Sequence, residues 1–261
     1  MPRLRTASTQ LFYRWDGPDD GPVLVLSHAL GATHAMWDVN VPALARTLRI
    51  LRYDSRGHGL SDVPPGPYGI ERLARDVVDL LDALELEVVD FCGLSMGGMV
   101  GIWLGANAPG RLRRLVLSNT TAHLERPDAM NARIEAVRRA GGMTAVADTM
   151  LERWFTPGFR AANPPIIDLA RKMLLETPPS GYIAACQAVR DMDQRSLLGK
   201  ISSPTLVVAG KRDPATTADH SHYLLDRIRG ARLVELEAAH IANMEASAPF
   251  DAALLEFLGE S

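Results

Sequence analysis

The chain has 261 residues, 28 Lys or Arg against 31 Asp or Glu, a formal charge of −3, and two cysteines. Its length suits one domain, or one domain with a substantial insertion, and its 47% apolar residues supply a core without disulfide or metal staples. Nothing in this balance resembles the basic excess of a nucleic-acid binder, and no run approaches the roughly 18 apolar residues of a membrane span.

Cys92 and Cys186 are too few for a disulfide framework, so a reducing compartment is expected. Residues 1–14 carry charges but no apolar h-region, so they do not read as a signal peptide. The expected location is cytoplasmic. No internal repeat or low-complexity tract is present.

In chain order, residues 11–15 form a weak strand candidate and 22–27 (PVLVLS) a buried one. A helical pattern over 41–48 leads to a strand at 48–53. A helix over 70–84 leads to a strand at 88–92, a helix at 96–106 and a strand at 114–118. After the insertion come a strand at 204–209, a helix at 216–227, a weaker strand at 232–236 and a helix at 249–258. The unbroken apolar character of 23–26 and 205–209 fits strands covered on both faces, as in a parallel sheet. Strands alternating with helices predict an open α/β fold with right-handed crossovers. Seven strands can be placed in this way.

Residues 121–198 break the alternation. They carry helical patterns at 129–140, 144–154, 165–175 and 181–190, punctuated by Gly141-Gly142, Pro157-Gly158, Pro164-Pro165 and Pro178-Pro179. The expected organisation is a core of 1–120 and 199–261 with a helical cap at 121–198. The alternative is that these helices simply flank the sheet.

The sharpest chemical signal is Gly93-Leu94-Ser95-Met96-Gly97, between a predicted strand and a predicted helix. This is the context of a G-x-S-x-G nucleophile elbow, in which a strained serine stands at the carboxyl edge of the sheet. The helix N-terminus offers N–H groups to a developing oxyanion. A serine needs a base in reach. His240 follows the strand at 232–236, and Asp213 follows the strand at 204–209 through Gly210-Lys211-Arg212, so both reach the same edge. The order Ser95, Asp213, His240 is that of α/β-hydrolases. Asp213 would also serve as the opening of a turn before Pro214, and His240 as an ordinary loop histidine.

Ser27-His28-Ala29-Leu30-Gly31 suits the second oxyanion donor, with the Leu30 N–H aligned beside that of Met96. His28 is expected to hold this loop by hydrogen bonds. Asp54-Ser55-Arg56-Gly57-His58-Gly59 lacks the Walker spacing and its Lys-Ser/Thr end, so it reads as a structural turn. His220 and His222, with Asp219 beside them, lie two apart on a helical pattern and face different directions, so no metal site is expected. Cys92 reads as a buried small hydrophobe.

These residues resemble a known family. Gly93-Leu94-Ser95-Met96-Gly97-Gly98, Arg56-Gly57-His58-Gly59-Leu60-Ser61, Arg114-Leu115-Val116-Leu117-Ser118-Asn119-Thr120, Glu152-Arg153-Trp154-Phe155-Thr156-Pro157 and His240-Ile241-Ala242-Asn243-Met244-Glu245 look like the 3-oxoadipate enol-lactonases. The resemblance covers nearly the whole chain. It implies an α/β-hydrolase fold with an eight-stranded, mostly parallel, doubly wound sheet and an inserted helical cap. It also implies a cytoplasmic, cofactor-free enzyme of the β-ketoadipate route of aromatic breakdown. The usual His-Gly of the oxyanion loop is His28-Ala29 here.

The implied substrate is a small lactone carrying a carboxylate, so the pocket needs a cation. Arg133 is the first candidate, with Arg138 and Arg153 as alternatives. Trp154 is expected either to line the pocket or to pack in the core. The competing readings are a carboxylesterase or perhydrolase-type enzyme on the same fold, and a ligand receptor that binds without turnover. No nucleic-acid or membrane partner is expected.

Overall fold

The computed structural model describes residues 2–6, 8–124 and 127–260. Among these, eight strands form one sheet in the order β1-β2-β4-β3-β5-β6-β7-β8. The strands are β1 (Arg3–Arg5), β2 (Gln10–Asp16), β3 (Val23–Ser27), β4 (Arg49–Tyr53), β5 (Val89–Leu94), β6 (Leu112–Ser118), β7 (Thr205–Gly210) and β8 (Arg232–Leu236). β1 and β2 run antiparallel, and every pairing from β4 through β8 is parallel.

β1 is the strand that sequence reasoning missed. It is three residues of Arg-Leu-Arg at an exposed edge, with only Leu4 partly covered, so no apolar pattern marks it. By contrast, every residue of β5 and β7 is buried, which explains their unbroken apolar runs.

The core helices are α1 (Val41–Leu44), α2 (Ile70–Ala83), α3 (Met96–Asn107), α9 (Ala218–Arg227), α10 (Ala242–Glu245) and α11 (Ser247–Leu258). α2 turns Ile70, Leu73, Ala74, Val77, Leu80 and Leu81 inward at helical spacing. α3 is apolar almost all round and is buried against the sheet. The helix expected over 41–48 is shorter, closing at Leu44. That expected from 216 begins at Ala218, because Thr216 is engaged elsewhere.

Between β6 and β7 lies a helical insertion: α4 (Pro127–Ala140), α5 (Thr144–Trp154), α6 (Pro157–Ala162), α7 (Pro164–Glu176) and α8 (Pro179–Asp191). Of the expected 121–198 cap, residues 125 and 126 lie outside the described residues. The proline pairs read as breaks are in fact helix starts. Pro157, Pro164 and Pro179 each occupy the first helical position, where the missing N–H costs nothing. Pro157 thereby opens α6, a short helix not anticipated from the sequence. Met130, Ile134 and Val137 form the buried stripe of α4, which packs on α5 and α8, while α5 also packs on α7.

Two contacts tie the insertion to the core near its middle. The Ile241 N–H donates to the Trp154 carbonyl at 3.0 Å. The Glu245 carboxylate accepts from the Thr156 N–H and hydroxyl and from the Ala239 N–H.

Candidate active site

Ser95 follows β5 and caps α3 with φ 56° and ψ −113°, a strained backbone for a residue with a side chain. The glycines on either side make this turn possible. A Cβ on Gly93 would stand 2.1 Å from the Gly97 carbonyl oxygen, and one on Gly97 would stand 2.2 Å from that of Ser27. The turn is held by the Ser95 N–H donating to the Ser118 carbonyl (2.9 Å) and by the Thr120 hydroxyl donating to the Ser95 carbonyl (2.7 Å).

The structure brings Ser95, His240 and Asp213 together from three loops at the carboxyl edge of the sheet. Ser95 Oγ lies 2.9 Å from His240 Nε2, and His240 Nδ1 lies 2.7 Å from Asp213 Oδ2. A carboxylate only accepts, so Nδ1 carries the proton and Nε2 offers its lone pair to the serine hydroxyl.

The two readings of Asp213 hold at once. Its Oδ1 accepts from the Ala215 and Thr216 N–H groups at 2.7 and 3.0 Å, forming the turn around Pro214. Its Oδ2 faces His240 and also accepts from Thr216 Oγ1 (2.6 Å) and Asn119 Nδ2 (3.0 Å). Burial alone pushes this carboxyl up. The His240 charge and the hydrogen bonds from His240, Thr216 and Asn119 outweigh it, and hold the group at about 2.

Sequence reasoning missed Asn119 and Thr216. Asn119 follows β6 at the same sheet edge with φ 45°, and its amide also donates to the Ala239 carbonyl at 3.2 Å. Its place one residue past a strand end was the available signal.

Leu30, one of the two expected oxyanion donors, lines the cavity over Ser95, and Met96 is the other. Met96 opens α3, so its N–H has no carbonyl partner within the helix. The Leu30 N–H has no partner among the described residues, while its neighbours are occupied. The Gly31 N–H donates to His58 Nε2 (3.0 Å), and the Ala29 N–H points to the Met36 sulfur (3.4 Å).

His28 is buried, donates from Nδ1 to the Ala29 carbonyl (2.8 Å) and accepts the Ser55 N–H on Nε2 (2.9 Å). Burial pushes the His28 pKa down. Burial and the neighbouring His28 push that of His58 down to about 3. Two neutral histidines therefore stitch the 27–31 segment to the Arg56-Gly57-His58-Gly59 turn.

The cavity over Ser95 is small, about 70 Å3, and is bounded by Leu30, Ser95 and His240 on the core side and by Arg133, Arg153 and Trp154 on the insertion side. Trp154 serves both expected roles, being buried in the core cluster and lining the cavity. Arg138 does not reach it; that side chain is exposed and ion-paired to Glu135 on its own helix. Neither Arg133 nor Arg153 has an ion pair with any of the described residues.

His220 is half-buried against the Thr217 hydroxyl at 3.2 Å, whereas His222 is exposed. Among the described residues no group of three or more His, Cys, Asp or Glu side chains is placed to hold a metal ion. Both cysteines are buried and unpaired, and no described helix is long and apolar enough to cross a membrane.

Comparison with known proteins agrees with this architecture. Residues 22–153 match the alpha/beta hydrolase fold family. The chain is 38% identical to 3-oxoadipate enol-lactonase 2 of Acinetobacter baylyi over 96% of its own length and 94% of that protein's. It superposes on the crystal structure of the enol-lactonase from Burkholderia xenovorans LB400 with a TM-score of 0.97 and 40% identity, covering 99% of this chain and 100% of that one. A putative carbamate hydrolase, RutD of Stutzerimonas stutzeri, is 30% identical over 92% of this chain and 93% of its own. The chain belongs to the α/β-hydrolase fold family, as a serine hydrolase of the enol-lactonase-like kind.

Proposed function

We propose that the chain hydrolyses 3-oxoadipate enol-lactone to 3-oxoadipate, in the β-ketoadipate route of aromatic breakdown. Ser95 attacks the lactone carbonyl as His240 Nε2 takes its proton, with Asp213 orienting the ring and stabilising the imidazolium. The Leu30 and Met96 N–H groups receive the oxyanion of the tetrahedral intermediate. Collapse breaks the ring carbon–oxygen bond, His240 returns its proton to the departing enolate oxygen, and the enol becomes a ketone. A water molecule, deprotonated by His240, then cleaves the acyl-enzyme and restores Ser95.

The observation that carries this reading is a cation, Arg133, with no ion pair among the described residues, over a compact pocket that holds a complete Ser-His-Asp arrangement. A lactone bearing a carboxylate supplies the missing counter-charge, and Arg binds carboxylates through two parallel hydrogen bonds. A cavity this small suits a short ring better than a long-chain ester.

The deciding experiment is a steady-state turnover screen of the purified protein on muconate-derived enol-lactones, neutral lactones of similar size, aryl esters and carbamates. The highest kcat/KM is expected on the carboxylated enol-lactone. A higher value on carbamates or neutral aryl esters would overturn the substrate assignment, and binding without multiple turnover would make the protein a receptor.

A further inference from the structure

The cavity holds one cation more than a monoanionic lactone needs. Arg133 and Arg153 both line it, and neither forms an ion pair with a described residue. Asp213, whose charge acts on Arg153, is already committed to His240, Thr216, Asn119 and its own turn.

The two guanidinium groups are close enough to oppose each other. Burial lowers the Arg153 pKa first, and the Arg133 charge lowers it further, while Asp213 and Tyr182 act in the other direction. They also have different surroundings. Arg133 stands beside the buried Tyr182 hydroxyl and interacts with it, as does the Cys186 thiol. Tyr182 in turn packs against Gly31. Arg153 lies within the field of Asp213 and one residue from Trp154, whose carbonyl holds the Ile241 N–H.

Resting on the lactonase reading above, we propose that Arg153 forms a second anion subsite, so that the pocket binds short dicarboxylates, with Arg133 and Tyr182 holding one carboxylate and Arg153 the other. The chemistry supplies such a ligand. Water adds across the acyl carbon–oxygen bond, one proton leaves to solvent, and a ring with one carboxylate becomes an open chain with two. The dianion then matches the two guanidinium charges, so the pocket retains product and is inhibited by dicarboxylates of similar length.

The test compares adipate with hexanoate, which has the same carbon count and one carboxylate fewer. Binding is measured by titration calorimetry, and inhibition by the hydrolysis of a neutral aryl ester. That reporter needs only the serine hydrolase, so it is read separately from enol-lactone turnover. Adipate is expected to bind at least roughly tenfold more tightly than hexanoate, the scale of one added charge-assisted contact. Arg153→Gln should remove that advantage and leave hexanoate affinity nearly unchanged, whereas Arg133→Gln should weaken both ligands. Equal affinities in the wild-type protein, or an undiminished adipate advantage in Arg153→Gln, would overturn the proposal. Should Arg153→Gln not fold, the salt dependence in the wild-type protein decides. It should be steeper for adipate than for hexanoate, and equal slopes would overturn the second subsite.

Discussion

On the sheet side of the cavity, the Asp213 carboxylate accepts five hydrogen bonds. On the helical side, Arg133 and Arg153 make no ion pair with the described residues. The two walls bound one space but differ in what they leave unfinished. Polar groups that are fully satisfied before a ligand arrives hold their geometry and cost nothing to reorganise during reaction. Unsatisfied charged and polar groups are where a ligand gains binding energy. In the proposed function the sheet side carries the chemistry, and the helical side carries the choice of ligand.

The largest expected effect lies on the sheet side. Ser95→Ala should fold with an unchanged circular dichroism spectrum and lose roughly a millionfold in kcat, the scale seen when a serine hydrolase loses its nucleophile. Retention of a substantial fraction of the wild-type rate would remove chemistry from that wall altogether.

Arg133→Ala probes the other wall, and should raise KM for the carboxylated lactone roughly tenfold or more while changing kcat little, because the carboxylate keeps its charge through the reaction. A neutral lactone of similar size should be nearly unaffected. Equal losses on both substrates would mean that the variant damages the packing of α4 rather than ligand choice.

The contrast between the walls was only half legible in the sequence. Ser95, Asp213 and His240 could be brought to one edge because each sits on a short loop after a strand, and strand ends fix position in an open α/β sheet. Their supports were less visible. Asn119 and Thr216 act through side chains whose partner is 94 and 3 residues away respectively, and composition says nothing about such pairings. His58 lay in a turn correctly read as structural, yet its bond to the Gly31 N–H joins segments 27 residues apart. On the helical side, arginine spacing alone could not separate Arg133 and Arg153 from Arg138. Which of them faces inward depends on how α4 and α5 pack, and Glu135 takes Arg138 outward.

The smallest expected effect concerns a polar group beneath the sheet-side wall that is less well served. Asn40 donates to Asp251 Oδ1 at 2.7 Å and to the Asn243 carbonyl at 3.0 Å, linking α11 to the His240 loop. Burial raises the Asp251 carboxyl to about 6, against the pull of the Asn40 hydrogen bond. A carboxyl raised on folding stabilises the fold in its protonated form. That contribution is complete below the ordinary value of 3.8 and is lost as pH rises through about 6. Asp213 works in the opposite sense, contributing above 3.8 and losing its contribution as pH falls toward about 2. Thermal melts of Asp251→Asn should therefore gain on the wild-type protein as pH rises from about 4 to 7. A constant difference across that range would show that the site does not titrate there.

The bond from Ile241 to the Trp154 carbonyl, reinforced by Glu245 bridging Thr156 and Ala239, makes the roof and the proposed base mechanically continuous. A rigid swing of the insertion about that corner would drag the His240 loop and change the 2.9 Å separation between Nε2 and Ser95 Oγ. A ligand carboxylate held at Arg153, as proposed, would pull on the chain one residue away from this strut. Grip on a distant part of the ligand then becomes alignment at the reacting atoms, and a ligand too short to reach the roof leaves the strut unloaded.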